Sequence, residues 1–412
     1  MTERPDRFRV CRMARELPPS GIREFFDLVA GMDDVISLGV GEPDFPTPWR
    51  ICDAVIDSLR NGFTSYTSNS GMIELREEIA RYLDGRFGVS YDPETEVLVT
   101  VGVSEAVDLV MRVLLEPGDQ VLVPDPCYVS YAPSVTLAGG TPISVCTSPE
   151  DEFKLRGDAA ATACTGRTRA LLFSNPSNPT GAVMGREDLG QIAAVAAERD
   201  LVVISDEVYA ELTYGADHVC TASLPGMRER TVVLNGFSKS DAMTGWRIGY
   251  ACGPADIIGA MTCIHAYTAM CVPTMAQIGA IEALAHGAED RARMVAEYDQ
   301  RRRVLVKGLN RIGLDCFEPR GAFYAFPSIA RTGLGSKDFA AALLTDQRVA
   351  AVPGTAFGGC GEGHIRCTYA SSIADLREAL SRIERFLDRL ERGEIVTEHL
   401  QGSAAGPASA GV

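Results

Sequence analysis

Short apolar runs punctuate the chain between residues 97 and 234: VLVTV (97–101), QVLVP (120–124), ALLF (170–173), LVVIS (201–205) and TVVL (231–234). Each is of strand length and apolar almost throughout, which predicts strands buried on both faces. Between them lie amphipathic or alanine-rich stretches, such as Arg186 to Arg199, that predict helices. This alternation, from Pro48 to Gly287, predicts an α/β fold with a mostly parallel sheet sandwiched by helices. Ligands on such sheets bind beyond the carboxyl ends of the strands, and Asn178, Asp206 and Lys239 each follow a predicted strand.

Outside this region the pattern changes. Met1 to Leu17 is polar and basic and predicts an arm, and Ser20 is a candidate N-cap for a helix carrying Ile22, Phe25, Phe26 and Val29 on one face up to Gly31. DVISLGVGEPDFPTP alternates into a short strand and then breaks on glycine and proline, with Gly41 in the break. Glu289 to Gly313 predicts one long helix, with Met294, Tyr298, Leu305, Leu309 and Ile312 on one face and arginines on the others. GAFYAFP, RVAAVPGTAFG and HIRCTYA predict strands of a smaller α+β domain, closed by a helix over Ile373 to Arg392. The expected organisation is therefore an arm and part of the small domain (1–47), a large domain (48–290), a C-terminal small domain (291–392) and a disordered Gly, Ala and Ser tail (393–412).

Composition narrows the class. A chain of 412 residues exceeds one ordinary core, in keeping with two domains. No apolar run approaches 18 residues and the charged N-terminus has no apolar leader-like stretch, so a membrane span is not expected and the cytoplasm is. A net charge of -16 disfavours nucleic acid and anionic membranes as partners. The 12 cysteines are scattered singly with no CxxC pair, which predicts reduced cysteines used as small hydrophobes. No metal site is expected.

The chemistry concentrates in NGFSKSDAMTGWRIGY, Asn235 to Tyr250, a small-residue loop after TVVL that holds Lys239 and Arg247. A lysine that loses solvation in a tight loop has a lowered pKa and a reachable nucleophilic amine. An arginine beside it offers a planar fork for a phosphate. An amine for an aldehyde and a guanidinium for a phosphate together point to pyridoxal 5'-phosphate, although a lone Ser-Lys pair also suits a solvated loop.

The string SK followed by AMTGWRIGY resembles the signature of the class I aminotransferases, pyridoxal-phosphate enzymes of fold type I. GEPDFPTP (41–48), TSYTSNSGMIELR (64–76), NPSNPTGAV (175–183), SDEVY (205–209) and HIRCTYA (364–370) resemble further motifs of that family in the expected order, over roughly Ser20 to Leu390. The resemblance implies that Lys239 forms the Schiff base and moves the proton. It assigns Asp206 to the pyridine nitrogen, Tyr209 and Asn178 to the phenolic oxygen, and Tyr128 to the ring face. Gly102, Val103 and Ser104 would cradle the phosphate with Arg247. Family members often carry a serine where this chain has Gly236, and Ser238 is a possible substitute. Gly41 would line the substrate carboxylate, Arg366 would bind it with Asn178 nearby, and Tyr66 would reach a neighbour's phosphate across a homodimer with shared active sites.

Read without the family, these residues also suit plainer roles: a helix cap for Asp206, a core aromatic for Tyr128, a half-buried aromatic for Tyr209, a Gly-Pro turn at Gly41. Arg366, set among apolar residues of a predicted strand, calls for a carboxylate partner and fits a structural ion pair. The family reading is ping-pong transfer of an amino group from an L-amino acid to a 2-oxo acid such as 2-oxoglutarate. Lyases acting at Cβ and aminocyclopropanecarboxylate synthases use the same lysine and arginines, so they remain alternatives. A cofactor-binding regulator is disfavoured by the acidic charge and by the lack of a DNA-binding segment before Met13. Ser104 followed by Glu105 offers no cation to a distal carboxylate, and Ile22 is expected at the entrance. Aromatic or other apolar amino acids are therefore expected beside aspartate, as in archaeal-type aromatic aminotransferases.

Overall fold

The computed structural model describes residues 10–17, 21–22 and 31–395. The helix predicted after Ser20 falls mostly on residues outside these, as does the tail beyond 395, and of the N-terminal arm Arg12–Glu16 is a short helix. Strand β1, Ile36–Ser37, comes first. A seven-stranded sheet follows, from β2 (Val97–Thr100), β3 (Gln120–Asp125), β4 (Thr141–Cys146), β5 (Thr168–Ser174), β6 (Val202–Asp206), β7 (Thr231–Gly236) and β8 (Gly249–Cys252). Its order is β2-β8-β7-β6-β5-β3-β4, parallel throughout except that β8 runs antiparallel to both β2 and β7.

The five apolar runs became β2, β3, β5, β6 and β7 because each buries both faces. Along β5, Ala170 and Leu172 enter one core with Leu109 and Met261, while Leu171 and Phe173 enter the opposite core with Leu189 and Ile192. Two strands were not predicted. On the edge strand β4 only Val145 is buried, so little apolar signal marks it. The short GYAC of β8 is specified by pairing on both sides more than by its own composition.

A three-stranded antiparallel sheet is built from β9 (Tyr324–Ala325), β11 (Val352–Pro353) and β12 (Ile365–Thr368) in the order β11-β12-β9, and β10 (Val349–Ala350) pairs parallel with β1. This last pairing carries residues 36–41 from the N-terminal side to the C-terminal strands, and Thr368 donates its amide to Leu38. Helices Ala288–Arg311 and Ile373–Glu391 pack together through Leu305, Leu309, Ile383 and Phe386. Of the arginines expected on the outer faces of the first helix, Arg291, Arg301 and Arg302 are buried instead. Each is held by a carboxylate, Asp241 at 2.8 Å, Asp44 at 2.7 Å and Asp299 at 2.7 Å respectively, which offsets the desolvation.

No helix among the described residues is long and apolar enough to cross a membrane, and no cluster there could hold a metal ion. The expectation of uniformly reduced cysteines is corrected at one place. Cys146 and Cys360 form a disulfide with Cα atoms 5.9 Å apart. The end of β4 meets the turn 359–361 there because Asp125 accepts the amides of Gly359 and Cys360, both at 3.1 Å. Spacing in sequence could not reveal this, since 214 positions separate the two cysteines. The other ten are free, and the buried Cys220, Cys252, Cys316 and Cys367 serve as small hydrophobes. Without reductant, Cys146→Ser should lower stability against urea by about 2–4 kcal/mol. With reductant present, the variant and the parent protein should unfold together, and coincident curves without reductant would show that the bridge adds nothing.

Candidate active site

Lys239 lies three residues beyond the end of β7, in a loop fastened from below. Asp241, buried, accepts from Arg291 at 2.8 Å and from Ser240 at 2.5 Å, so the turn after the lysine is tied to the helix Ala288–Arg311. The Lys239 amine projects into a cavity of about 450 Å³ at the carboxyl ends of the parallel strands and donates to the Gly41 carbonyl at 2.6 Å. Burial draws its pKa down to about 8; Glu42 opposes that shift, and Arg366 and Arg247 reinforce it.

Across the same cavity sits Asp206, the last residue of β6. Its carboxylate accepts from the Tyr131 hydroxyl at 2.6 Å and from the Val208 amide at 3.2 Å, and burial still pushes its pKa up to about 6. A carboxylate desolvated to this degree favours an added cation. Tyr209, nearly fully buried, has its hydroxyl 2.8 Å from that of Tyr324.

The helix Gly102–Leu114 begins at Gly102, so Gly102, Val103 and Ser104 supply the first-turn N–H groups that have no partner within the helix. Gly102 has φ +73°, and a β-carbon there would come within 2.7 Å of Arg247 Nη2. The guanidinium thus stands directly over the positive end of a helix, an arrangement that suits an anion. Glu105 turns away from the cavity, accepting from the Val101 amide at 2.6 Å and pairing with His265 at 2.9 Å.

Arg366 on β12 is only 2% exposed, and among the described residues no carboxylate pairs with it, which goes against the plainer reading of a structural ion pair. Its Nη1 donates to Asn178 Oδ1 at 2.9 Å and its Nη2 to the Gly39 carbonyl at 2.7 Å, while Nε has no partner. The rings of Tyr324 and Phe357 pack on it, with centroids 4.4 and 4.6 Å from Cζ. Neutral acceptors and π faces hold the guanidinium in place without cancelling its charge, an arrangement that suits an added anion.

Of the residues expected at the site, Gly41, Val103, Ser104, Tyr128, Asn178, Asp206, Tyr209, Ser238, Lys239, Arg247 and Arg366 all line this one cavity, as does Ile22. Gly102 abuts it through Arg247. Tyr66 does not line it; its side chain is 83% exposed. Sequence reasoning missed Tyr131, three residues after Tyr128 in DPCYVSY, and the aromatic pair Tyr324 and Phe357. Their side chains read as core until the strands are paired. A larger depression of about 660 Å³ gathers none of these residues, and its Tyr82, Arg86 and Glu211 satisfy one another. A buried amine, a buried carboxylate that has hydrogen bonds but no ion-pair partner among the described residues, and an anion cradle in one cavity fit pyridoxal phosphate.

The family model for class I and II aminotransferases matches residues 33–383. The chain is 52% identical over 375 residues to the putative aminotransferase YugH of Bacillus subtilis (strain 168), covering 91% of this chain and 97% of that one. It is 46% identical over 372 residues to an aspartate aminotransferase of Pyrococcus abyssi (strain GE5 / Orsay), covering 90% and 96%. Among solved structures, an aromatic aminotransferase from Pyrococcus horikoshii OT3 superimposes with a TM-score of 0.86 at 46% identity, over 91% of this chain and 100% of the other. The chain belongs to the class I and II aminotransferases. It has the type I fold and uses pyridoxal phosphate to transfer amino groups between amino acids and 2-oxo acids.

The lowered lysine pKa has a direct consequence. Only the neutral amine is acylated, so in the cofactor-free protein the labelling of Lys239 by a small reagent such as acetic anhydride should rise about tenfold per pH unit below 8 and level off above it. A midpoint near 10.5, the value of a solvated lysine, would contradict the burial argument. Peptide mapping across the pH range reads the result.

Proposed function

We propose that the Lys239 amine carries the cofactor and moves the Cα proton of the amino acid, that Asp206 pairs with the pyridine nitrogen, and that Tyr209 and Asn178 donate to the phenolic oxygen. Gly102, Val103, Ser104 and Arg247 hold the phosphate with Ser238 beside them, and Tyr128 packs on the ring. When bound, the cofactor supplies the electron sink that lets the Cα proton leave. Arg366, with Asn178 and Gly41, binds the α-carboxylate. The observation that carries this reading is the Arg366 guanidinium, buried without a carboxylate partner among the described residues and facing the same cavity as Lys239. Amino acid and 2-oxo acid use one carboxylate receptor in turn, which supports ping-pong exchange with an acceptor such as 2-oxoglutarate.

On substrate side chains, the described lining offers no cation beyond Lys239, Arg247 and Arg366, and presents Ile22, Val40, Val103, Val107 and Val129. Burying an apolar side chain against such a wall gains about 1.5–3 kcal/mol, whereas a distal carboxylate finds no charged donor there. Aromatic or other apolar amino acids are therefore used at least as well as aspartate.

The functional unit is a homodimer. Tyr66, Phe63 and Tyr267 leave large ring surfaces exposed, and Thr274 donates to the Ser65 carbonyl at 2.7 Å, tying the 63–66 segment to the helix that follows Tyr267. Tyr66 serves the partner's phosphate in this reading. The cofactor is held by residues 48–290, with 291–392 and part of 1–47 forming the smaller domain, and the acidic protein works in the cytoplasm on small molecules.

Two measurements test this. Arg366→Ala should lower kcat/KM for every amino acid by roughly 30-fold to several thousandfold, the equivalent of about 2–5 kcal/mol, with cofactor content unchanged. An effect confined to one substrate would mean that Arg366 reads the side chain. Single-turnover rates with phenylalanine, tyrosine, leucine, alanine and aspartate test selectivity, and a hundredfold preference for aspartate over all the others would overturn the apolar-wall reading.

A further inference from the structure

Tyr324 touches both halves of the site: its ring packs on Arg366 and its hydroxyl meets that of Tyr209. It lies on β9, whose register with β12 sets Tyr324 opposite Thr368, two residues from Arg366. The side chain is 1% exposed. Its ring centroid is 4.4 Å from Arg366 Cζ, its hydroxyl is 2.8 Å from that of Tyr209, and a β-carbon on Gly41 would come within 2.6 Å of that hydroxyl. The glycine thus leaves room for the tyrosine oxygen at the edge of the cavity.

A phenol has one proton to give. If Tyr209 donates to Tyr324, it has none left for a ligand; if Tyr324 donates to Tyr209, the Tyr209 proton is free to point into the cavity. Each hydroxyl makes its one described hydrogen bond with the other and either can donate, so an acceptor that takes the Tyr209 proton leaves Tyr324 as the donor between them. Burial also raises the Tyr209 pKa well above its ordinary value, with Tyr324 reinforcing the shift, so Tyr209 stays a neutral donor.

We propose that Tyr324 is a positioning residue with two separable actions: its hydroxyl directs the Tyr209 proton toward the cofactor's phenolic oxygen, and its ring holds the Arg366 guanidinium for the substrate carboxylate. The first action rests on the assignment of Tyr209 to that oxygen. Hydrogen bonds in a chain polarise one another, each strengthening the next by roughly 10–30%. Removing Tyr324's proton therefore weakens Tyr209 as a donor without removing it. The ionised phenolic oxygen is then less stabilised, and the pH at which the bound cofactor's visible absorbance changes moves up.

The test uses the cofactor-loaded enzyme and reads the midpoint of that absorbance change beside KM and kcat. Tyr324→Phe keeps the ring, so it should raise the midpoint by roughly 0.1 to 0.7 pH unit and leave KM for amino acids unchanged. Tyr324→Leu should shift the midpoint equally and also raise KM roughly 2- to 30-fold, as a packed aromatic face is lost from a buried cation. Tyr209→Phe should shift the midpoint further, and adding Tyr324→Phe to it should change nothing more. An unmoved midpoint in Tyr324→Phe, or the same shift with and without Tyr209, overturns the relay. If Tyr209→Phe itself moves nothing, the assignment of Tyr209 fails and the relay with it. Equal KM values in the Phe and Leu variants overturn the role of the ring.

Discussion

A guanidinium buried without an ionised partner among the described residues is the constraint on which the rest of this structure depends. Desolvation of a charge costs several kcal/mol unless it is met by hydrogen bonds or an opposite charge, and Arg366 meets only an amide oxygen, a carbonyl and two rings. Burial accordingly lowers its pKa from the usual arginine value. The fold leaves this charge unneutralised by any described residue, which is what preorganisation for the carboxylate proposed above requires. Arg291, Arg301 and Arg302 show the contrast, since each of those buried arginines is paired within the protein.

Holding such a residue requires elements from distant parts of the chain. The pairing of β1 with β10 and the bond from the Thr368 amide to Leu38 bring the Gly39 carbonyl to Arg366. The same strip continues past Gly41, the acceptor for Lys239, to Thr47, which donates to the Ala242 carbonyl at 2.6 Å and accepts from Trp246 at 2.9 Å. Residues 39–47 thus lie against the lysine loop on one side and Arg366 on the other. Lysine and arginine repel one another across the cavity, and that repulsion adds to the burial that keeps the amine close to neutrality. The Cys146–Cys360 bridge and the Asp125 carboxylate fasten the turn 359–361 to the sheet edge, close to Phe357, whose carbonyl accepts from Cys127 at 2.9 Å.

What the sequence by itself determined was whatever is written locally. β2, β3, β5, β6 and β7 were legible because a strand buried on both faces must be apolar at every position, and the helices Arg186–Glu198, Ala288–Arg311 and Ile373–Glu391 because one-sided burial imposes a 3.6-residue period. Asn178, Asp206 and Lys239 could be singled out as polar residues that follow predicted strands, and Arg247 as the second cation of the Lys239 loop, in strings long enough to resemble a family. Only the tertiary structure decided the edge strand β4, the antiparallel β8 and which arginines of the long helix are buried. It alone brought Tyr131 to Asp206 across 75 residues, Tyr324 to Tyr209 across 115 and Arg366 to Asn178 across 188, and it alone joined Cys146 to Cys360. A local pattern records how much of a side chain is buried, but a hydrogen bond or ion pair depends on which distant residue arrives beside it, and that is fixed by strand order and register.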